Sequence, residues 1–231
     1  MDPEKHVKLV NGWHMKNTAM QAVPVPTLRR LPTYLQVLKR LQSTGRDVVS
    51  CTHIAQELHL DPTQVRKDLA ATGVVGKPRV GYYLPTLIDA IEDFLGWNNT
   101  KDAFLVGVGS LGTALLKYEG FREHGLNILA AFDANPEKIG TEVAGVQVLD
   151  IKKLPELASR MHIHIGVVTV PTEAAQQVVD ELVAGGVMAI WNFAPANVEV
   201  PEGIIVEHVR LASSLAVLSS QVAAALRAAE A

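Results

Sequence analysis

Three glycines are the residues of this 231-residue chain whose spacing points most directly to a chemical role. They lie in the run Gly107-Val108-Gly109-Ser110-Leu111-Gly112, which follows an apolar stretch and precedes a helical pattern. In that context Gly107 permits a tight turn, Gly109 lets the backbone approach a pyrophosphate, and Gly112 lets the helix pack on the strand. The first turn of the helix offers free N–H groups to phosphates. The spacing therefore predicts a loop that binds a dinucleotide.

Asp133 supplies the acid that such a site needs, because it stands at the end of the next apolar run, 126–132. A carboxylate there accepts hydrogen bonds from the ribose hydroxyls of NAD and repels the 2′-phosphate of NADP. A close-packed turn alone would explain the glycines but not the acid. With strands predicted at 103–106 and 126–132 and a helix at 111–118, the sequence favours an NAD site.

The segments before the glycine loop predict a DNA-binding helix pair. Leucines at helical spacing between positions 31 and 41 predict a first helix, which follows Pro26. Ser50 is a good N-cap for a second, short helix, and Asp61 followed by Pro62 predicts the start of a third. Two short helices joined by a tight turn are typical of a helix-turn-helix, in which the second helix enters the major groove.

Basic residues lie where such a domain would meet DNA. The third helix carries polar residues on the faces that Val65 and Leu69 leave free, although a solvated charged face is the alternative. The segment 73–82 has the pattern of a two-stranded ribbon with basic residues at its tip, as a wing requires, and such cations contact phosphates or enter the minor groove. The expected DNA-contacting residues are Gln64, Arg66, Lys67, Lys77, Arg79 and Tyr82.

Charge is unevenly distributed along the chain. Positions 24–86 hold nine Lys and Arg against four Asp and Glu, whereas positions 87–231 hold nine against eighteen. A basic first part on a chain of net charge -3 indicates a local surface for a polyanion. The length is typical of two domains.

Cysteine, histidine and hydropathy patterns narrow the class of protein. The single cysteine, Cys51, excludes an intramolecular disulfide, and the eight histidines show no close metal-ligand spacing. We therefore expect no bound metal. The sequence shows neither a signal peptide nor an apolar run of about 18 residues, so we expect a cytoplasmic protein without a membrane partner.

Together these segments resemble the Rex family of redox-sensing transcriptional repressors, which are cytoplasmic bacterial homodimers that bind operators and respond to the NADH/NAD⁺ ratio. The resemblance runs from about Pro26 to the C-terminus. In the first part of the chain it rests on Arg30-Leu31-Pro32-Thr33-Tyr34-Leu35, Gln64-Val65-Arg66-Lys67-Asp68-Leu69, Gly76-Lys77 and Val80-Gly81-Tyr82. In the second part it rests on the glycine loop, Phe132-Asp133-Ala134-Asn135-Pro136-Glu137-Lys138-Ile139-Gly140, Thr169-Val170-Pro171 and Asn192-Phe193-Ala194-Pro195.

The segment 1–23 is polar and lacks clear periodicity, so we expect it to be flexible. For the rest of the chain the resemblance implies an α/β fold in three parts: a winged helix-turn-helix domain at 24–86, a Rossmann-type doubly wound domain at 87–209 and a C-terminal dimerisation helix at 210–231. The apolar segment 211–230 must bury most of its surface, and in the family this helix is exchanged between subunits. A helix packed on its own sheet is the alternative.

The resemblance also implies NADH and NAD⁺ as cofactors. The segments 169–171 and 192–195 follow the predicted strands 163–170 and 189–191, and strand ends of a doubly wound sheet hold ligands. Loop packing is the alternative for Phe193 and Pro195, and a position at the edge of the core is the alternative for Tyr118. The expected cofactor-binding residues are Gly107, Gly109, Ser110, Leu111, Gly112, Tyr118, Asp133, Lys138, Thr169, Val170, Pro171, Asn192, Phe193, Ala194 and Pro195.

The chain departs from the family pattern at several positions. Family members usually carry Arg at the position of Gln36 and an acid at the position of Arg210, a pair that joins subunits; here that pair cannot form, so Arg210 should stay solvated or find another acid such as Asp68. Ser110 stands where some members have Arg, and Arg79 where Gly is common. The family's usual Ser-Tyr-Phe before the wing is Ala70-Ala71-Thr72.

The sequence therefore favours a repressor of double-stranded operator DNA that NADH releases. One alternative is an NAD-dependent dehydrogenase, but no Tyr-x-x-x-Lys pair, His-Asp pair or Cys nucleophile lies near the strand ends, so we expect no enzyme activity. The other alternative is a regulator that binds CoA or a nucleotide without redox switching.

Overall fold

The computed structural model of the chain describes residues 23–99 and 101–229. The segment expected to be flexible, 1–23, lies outside the described residues except for its last position. The chain divides into two compact units, the first ending at Gly96 and the second beginning at Trp97. Each unit is built around its own buried apolar residues.

The described part of the first unit is mainly helical. Its elements are α1 (Val25–Ser43), β1 (Val48–Val49), α2 (Cys51–Leu58), α3 (Pro62–Ala71), β2 (Tyr82–Tyr83) and α4 (Leu84–Leu95). The caps lie where the sequence predicts them: Ser50 Oγ accepts from the His53 N–H at 3.1 Å, and Asp61 Oδ1 accepts from the Thr63 N–H at 2.6 Å. Helix α1 begins before Pro26 rather than after it, because a proline in the first turn removes no intrahelical hydrogen bond.

Helix α4 places the boundary between the units later than the sequence indicated. We expected the first domain to end at Thr86, but the first unit includes all of Leu84–Leu95. Leu84, Leu87 and Ile91 of this helix are fully buried, and the Lys39 ammonium of α1 lies 2.7 Å from the Glu92 carboxylate. The amphipathic face of α4 thus packs within the first unit.

The wing is a tight turn rather than the two-stranded ribbon expected over 73–82. The Lys77 N–H donates to the Gly81 carbonyl at 2.8 Å, and the Gly81 N–H donates back to the Lys77 carbonyl at 2.9 Å. The chain after this turn, Tyr82–Tyr83, pairs antiparallel with Val48–Val49 instead of with residues 73–76. Only the basic tip is therefore a hairpin.

The second unit is a doubly wound α/β domain. Its strands are β3 (Lys101–Val106), β4 (Leu126–Asp133), β5 (Glu142–Val143), β6 (Val146–Asp150), β7 (Ile165–Val168), β8 (Ala189–Asn192) and β9 (Ile205–His208). Its helices are α5 (Ser110–Leu116), α6 (Gly120–Glu123), α7 (Leu154–Arg160), α8 (Thr172–Ala184) and α9 (Leu211–Ala229), with a 3₁₀ turn at Ile151–Lys153.

The strand order places a ligand crevice between β3 and β7. The sheet runs β5-β6-β4-β3-β7-β8-β9, all parallel except β5. If β5 is set aside, β3, β4 and β6 follow one another from the centre of the sheet to one edge. The strands β7, β8 and β9 follow one another from the centre to the other edge. This is the strand order of dinucleotide-binding domains. In such sheets ligands bind at the carboxyl ends of the strands where the winding reverses. The fold expected from the sequence is confirmed.

Helix α9 has no buried residue, and its leucines and valines face solvent: Leu215 is 61% exposed and Leu226 is 61% exposed. Contrary to our sequence expectation, this helix is long and apolar enough to cross a membrane by length and composition alone. The alternative in which it packs on its own sheet does not occur in the structure. A fully exposed apolar helix needs a covering surface from elsewhere.

Candidate cofactor site and nucleic-acid interface

The glycine loop connects β3 to α5 under tight steric limits. Gly107 has φ +99°, and a Cβ there would lie 2.9 Å from the Thr169 carbonyl oxygen. A Cβ at Gly112 would collide with the Gly107 carbonyl oxygen, so only glycine lets α5 approach the turn. Space around Gly109 is open for 4 Å, as the approach of a phosphate requires.

Thr169 holds the two strands together at the crevice. Its hydroxyl donates to the Gly107 carbonyl at 2.6 Å and lies 3.0 Å from the Val106 carbonyl, while its N–H donates to Val106 at 2.9 Å. Because these contacts join the ends of β3 and β7, they fix the glycine loop relative to the opposite half of the sheet. The predicted strand ends are thus brought together where the winding reverses.

Three hydrogen bonds from nearby residues hold the Asp133 carboxylate in place. Its carboxylate accepts hydrogen bonds from the Val108 N–H at 2.8 Å, the Asn135 N–H at 2.8 Å and the Lys138 ammonium at 3.1 Å. Burial raises the pKa of Asp133, but the hydrogen bonds from Asn135 and Lys138 outweigh burial, and the pKa lies below its ordinary value. The side chain is therefore ionised, and Oδ1 keeps one lone pair for a further donor.

A cavity of about 550 Å³ lies at this end of the sheet, within the size range of small-molecule sites. Most of the expected cofactor-binding residues line it: Gly107, Gly109, Ser110, Leu111, Asp133, Lys138, Thr169, Val170, Pro171, Phe193 and Pro195. The cavity is thus built from the ends of β3, β4, β7 and β8.

Four expected residues do not line this cavity. Gly112 packs closely against the Gly107 carbonyl oxygen within the glycine loop. Asn192 is fully buried, where its Nδ2 donates to the Ala196 carbonyl at 2.9 Å and its Oδ1 accepts from the Ala194 N–H at 2.9 Å. Asn192 and Ala194 therefore shape the loop that carries Phe193. Tyr118 is 54% exposed and packs edge-on against another aromatic ring of its unit, outside the lining.

Six apolar residues that sequence reasoning missed also line the cavity. These residues are Val106, Phe132, Ala134, Ile151, Ala174 and Val178. Ile151 directly follows β6 and Ala134 directly follows β4, so the strand-end rule would have found both. Ala174 and Val178 carry no such signal, because only the packing of α8 on the sheet brings them to the crevice. The described residues include no cluster of three metal-binding side chains.

The exposed face of α3 is basic. Arg66 and Lys67 are exposed on α3, whereas Val65 and Leu69 are fully buried against the rest of the unit. Gln64 differs from these two cations because it is half-buried and its Nε2 donates to Asp68 Oδ1 at 2.9 Å. Arg66 and Lys67 are thus the cations that this helix presents to a partner.

A buried carboxylate ties α3 to α1. Asp68, 1% exposed, accepts from Arg30 Nε at 2.7 Å, Arg30 Nη2 at 2.8 Å, the Tyr34 hydroxyl at 2.7 Å and the Thr27 hydroxyl at 2.9 Å, besides Gln64. Burial raises the pKa of Asp68, but the hydrogen bonds from Arg30 and the other donors outweigh it and lower the pKa to about 2. The orientation of α3 therefore depends on an ionised, fully bonded acid.

The wing and the two short helices form a groove of about 670 Å³, and its lining includes Arg66, Lys77 and Arg79. Lys77 and Arg79 are exposed at the tip, and Arg79 has φ +63°, a conformation that costs a non-glycine residue energy. Tyr82 is half-buried beneath Gly76, and burial raises the pKa of its hydroxyl, as does the nearby Cys51 thiol. Its ring supports the wing from inside.

The two positions at which the family's ion pair between subunits is missing, Gln36 and Arg210, are both exposed. Gln36 faces solvent on α1, and Arg210 donates a hydrogen bond to the Asn197 side-chain carbonyl within the second unit. Asp68, which we considered as another acid for Arg210, is buried and already accepts five hydrogen bonds. It has no capacity left for a further cation.

Comparisons with known proteins agree with this architecture. Residues 98–196 match the family described as "CoA binding domain", and residues 22–70 match "Putative DNA-binding protein N-terminus". The chain is 47% identical over 201 residues to the redox-sensing transcriptional repressor Rex of Treponema denticola, covering 87% of this chain and 96% of the relative. It is 46% identical to the protein of the same name from Bacteroides fragilis, covering 85% and 89%.

Solved structures show the same fold. The crystal structure of RSP in complex with β-NAD⁺ and operator DNA matches with a TM-score of 0.82 at 32% identity, covering 87% of this chain and 92% of that chain. The structure of RSP in complex with β-NADH matches with a TM-score of 0.79 at 31% identity, covering 87% and 94%. RSP itself is described as a Rex-family repressor.

Proposed function

This chain belongs to the Rex family of redox-sensing transcriptional repressors, and on that premise we propose that it binds operator DNA as a homodimer and releases it when NADH occupies the Rossmann site. The observation that carries the proposal is the cavity at the β3–β7 crossover, where the glycine loop meets the ionised Asp133. The exposed basic face of α3 supports the DNA-binding part of the proposal. Relatives of this fold have been crystallised with NAD⁺, NADH and operator DNA.

The cavity suits a nicotinamide dinucleotide. The free N–H groups after Gly109 would receive the pyrophosphate. Asp133 would accept from an adenosine ribose hydroxyl with the Oδ1 lone pair that Val108, Asn135 and Lys138 leave. The carboxylate would repel a 2′-phosphate, although Lys138 partly offsets its charge. We therefore expect NADH to bind in preference to NADPH, by a smaller margin than an unpaired acid would give.

The nicotinamide end would lie against the residues of β7 and β8. Thr169, Pro171 and Phe193 line that side of the cavity. The Thr169 hydroxyl already donates to a backbone carbonyl. We therefore expect Thr169 to shape the cavity and not to transfer a proton. The buried Asn192 holds the Phe193 loop in place.

DNA binding would use the face of α3 and the wing. Early residues of a recognition helix face base edges in the major groove, which assigns Arg66 and Lys67 to the groove or its phosphates. Lys77 and Arg79 at the wing tip would contact the backbone or the adjacent minor groove. A repressor acts where the chromosome is, so we place the protein in the cytoplasm.

The homodimer would cover helix α9. Its exposed apolar residues include Leu211, Leu215, Leu218, Val222 and Leu226. A second copy of the chain can bury this stripe, and the residues between them are mostly alanine and serine, which allow close helix packing. An interfacial or membrane-spanning role is the competing explanation, and it predicts sedimentation with vesicles instead of a dimer in buffer.

An enzyme is the less favoured function. Catalytic hydride transfer usually needs an acid or base that can reach the substrate. In the cavity, Asp133 and Lys138 are paired with each other and Thr169 donates to backbone carbonyls. None of these groups is arranged to exchange a proton with a substrate carbonyl, so we infer that the site senses the cofactor.

Two measurements test the proposed function. Titration of the purified chain with NADH, NAD⁺, NADPH and CoA should give tight binding of NADH and weak binding of NADPH and CoA. Electrophoretic mobility shifts with a family operator duplex should then show a complex that NADH dissociates and NAD⁺ does not. Equal binding of NADH and CoA would instead favour a nucleotide-binding regulator without redox switching, and turnover of a hydroxy substrate would favour the dehydrogenase.

A further inference from the structure

A hydrogen bond to a buried acid fixes the orientation of one side-chain amide on the recognition helix. Gln64 Nε2 donates to Asp68 Oδ1 at 2.9 Å, one turn further along α3. Asp68 is ionised, so it can only accept hydrogen bonds. A flipped amide would set Gln64 Oε1 against the carboxylate, which is repulsive. The polarity of the Gln64 amide is therefore set by Asp68.

The acid cannot move to release the amide. Donors from α1 hold both of its oxygens: the Arg30 guanidinium makes two hydrogen bonds, and the hydroxyls of Thr27 and Tyr34 make one each. Rotating the Asp68 carboxylate would leave buried donors without partners, and each unsatisfied group costs stability. Asp68 thus acts as a rigid support for Gln64.

The remaining polar atoms of Gln64 are free for a partner. An amide nitrogen carries two N–H groups, of which Asp68 takes one, so Oε1 and one N–H remain. In the part of the chain that the structure describes, Oε1 of Gln64 forms no hydrogen bond. The side chain lies in the first turn of α3, next to the exposed residues Thr63 and Lys67. Early residues of a recognition helix are the ones that meet base edges.

We propose that Gln64 is a specificity-determining residue for a base that carries an amino group in the major groove, adenine above cytosine, with Asp68 as its positioning residue. Oε1 would accept from adenine N6 or cytosine N4, and the remaining N–H suits adenine N7. Guanine and thymine present acceptors there and would face the Gln64 oxygen. The inference rests on the proposed function, because it requires α3 to lie in the major groove.

The test measures base preference position by position. The full-length wild-type chain enriches duplexes from a randomised pool, and its affinity is then measured for every single base-pair replacement in the enriched half-site. The same set is measured with Gln64→Met, which keeps the side-chain length without polar ends. Lys77→Ala at the exposed wing tip is the control, since removal of a phosphate-binding cation weakens all duplexes alike.

One position should distinguish the variants. At that position the wild type should favour adenine, then cytosine, with roughly tenfold weaker binding of guanine or thymine. Gln64→Met should reduce this difference to within about twofold and leave the preferences at other positions unchanged. Unchanged preferences in Gln64→Met, or an effect at a position where a G·C pair is favoured over an A·T pair, would overturn the inference.

The variant Asp68→Asn tests whether Asp68 orients the Gln64 amide or only stabilises the fold. Its amide can donate to Gln64 Oε1, so the orientation of Gln64 is no longer fixed. With a thermal transition showing that the variant is folded, preference should fall at the Gln64 position alone; a uniform fall at all positions would contradict the positioning role. If this variant does not fold, Gln64→Met still decides the inference. A wild-type chain that enriches no sequence would contradict the proposed function itself.

Discussion

The carboxylate of Asp133 and the backbone N–H of Val108 are joined at 2.8 Å, so the acid at the end of β4 also holds the glycine loop that follows β3. The same carboxylate accepts from the Asn135 N–H and the Lys138 ammonium. The residue that we propose for recognition of the ribose thus also fixes the geometry of the loop. Changing it should affect both the shape of the site and its selectivity for the cofactor.

Asp133→Ala should narrow the difference in affinity between NADH and NADPH. The substitution removes the acceptor for the ribose hydroxyls and leaves Lys138 free to attract a 2′-phosphate. NADH should bind about tenfold or more weakly, since a hydrogen bond to a charged group contributes roughly 1.5–3 kcal/mol. Fluorescence titration with both cofactors measures the ratio. Glu137→Ala is the matched control, an exposed acid nearby that does not line the cavity. Equal affinities for NADH and NADPH in the wild type would show that Asp133 does not set selectivity.

Arg66→Ala and Lys67→Ala should each weaken operator binding while leaving NADH binding unchanged. Both side chains are exposed on α3, so their removal should cost little stability. Each cation that neutralises a phosphate adds about one to the slope of log affinity against log salt, so each variant should reduce that slope by about one. Mobility shifts at several salt concentrations give both quantities. Arg160→Ala, at an exposed ion pair in the second unit, is the control. Unchanged operator affinity in both variants would show that α3 does not bind DNA.

Arg79→Gly should lower the affinity for DNA without lowering the stability of the fold. Arg79 has φ +63° at the wing tip, a conformation that glycine adopts without the Cβ penalty of about 1–2 kcal/mol. The flexibility of glycine in the unfolded chain offsets part of that gain, so the melting temperature should stay equal or rise slightly. Operator affinity should fall because the cation is removed. Arg79→Lys keeps charge and backbone strain, and it should retain most of the affinity. A destabilised Arg79→Gly would contradict the account of strain.

The first unit should lose stability in acid through Asp68. The pKa of Asp68 is about 2 in the folded chain, below its ordinary value of 3.8, so the folded state binds this proton less readily than the unfolded state. The resulting stabilisation, about 2 kcal/mol, is fully present above pH 4 and is lost as the pH falls toward 2. Urea unfolding of the wild type and of the Asp68→Asn variant between pH 2 and pH 6 measures how the free energy of unfolding depends on pH in each. An equal acid dependence in the variant would assign the effect to other carboxylates.

The double substitution Gln36→Arg and Arg210→Asp should strengthen the release of DNA by NADH. Both positions are exposed, and the Arg210 guanidinium donates to the uncharged side chain of Asn197. If the two positions meet between subunits, as the family pattern implies, the new pair should give a coupling energy above the roughly 0.5 kcal/mol expected of independent sites. Operator affinity with and without NADH across the four proteins of the cycle measures it. Additive effects would mean that the positions do not meet.

Local sequence signals correctly predicted two helix starts and most of the expected residues that line the cavity. The caps Ser50 and Asp61 formed as predicted because a helix start needs only acceptors within three residues. The glycine loop and Asp133 were identified because a strand, a turn and a helix of fixed spacing place them at one edge of any parallel sheet. The strand ends at Thr169 and Phe193 could be assigned to the crevice for the same reason.

The sequence by itself therefore determined the two-part architecture, the family and most residues of the cavity at the ends of β3 and β7, since these depend on periodicity and on neighbours close in the chain. Only the tertiary structure decided that Gln64 faces Asp68, that Ala174 closes the cavity and that Leu84–Leu95 packs in the first unit. These features depend on contacts between residues brought together by folding, whose geometry is set by how helices pack and not by local propensity.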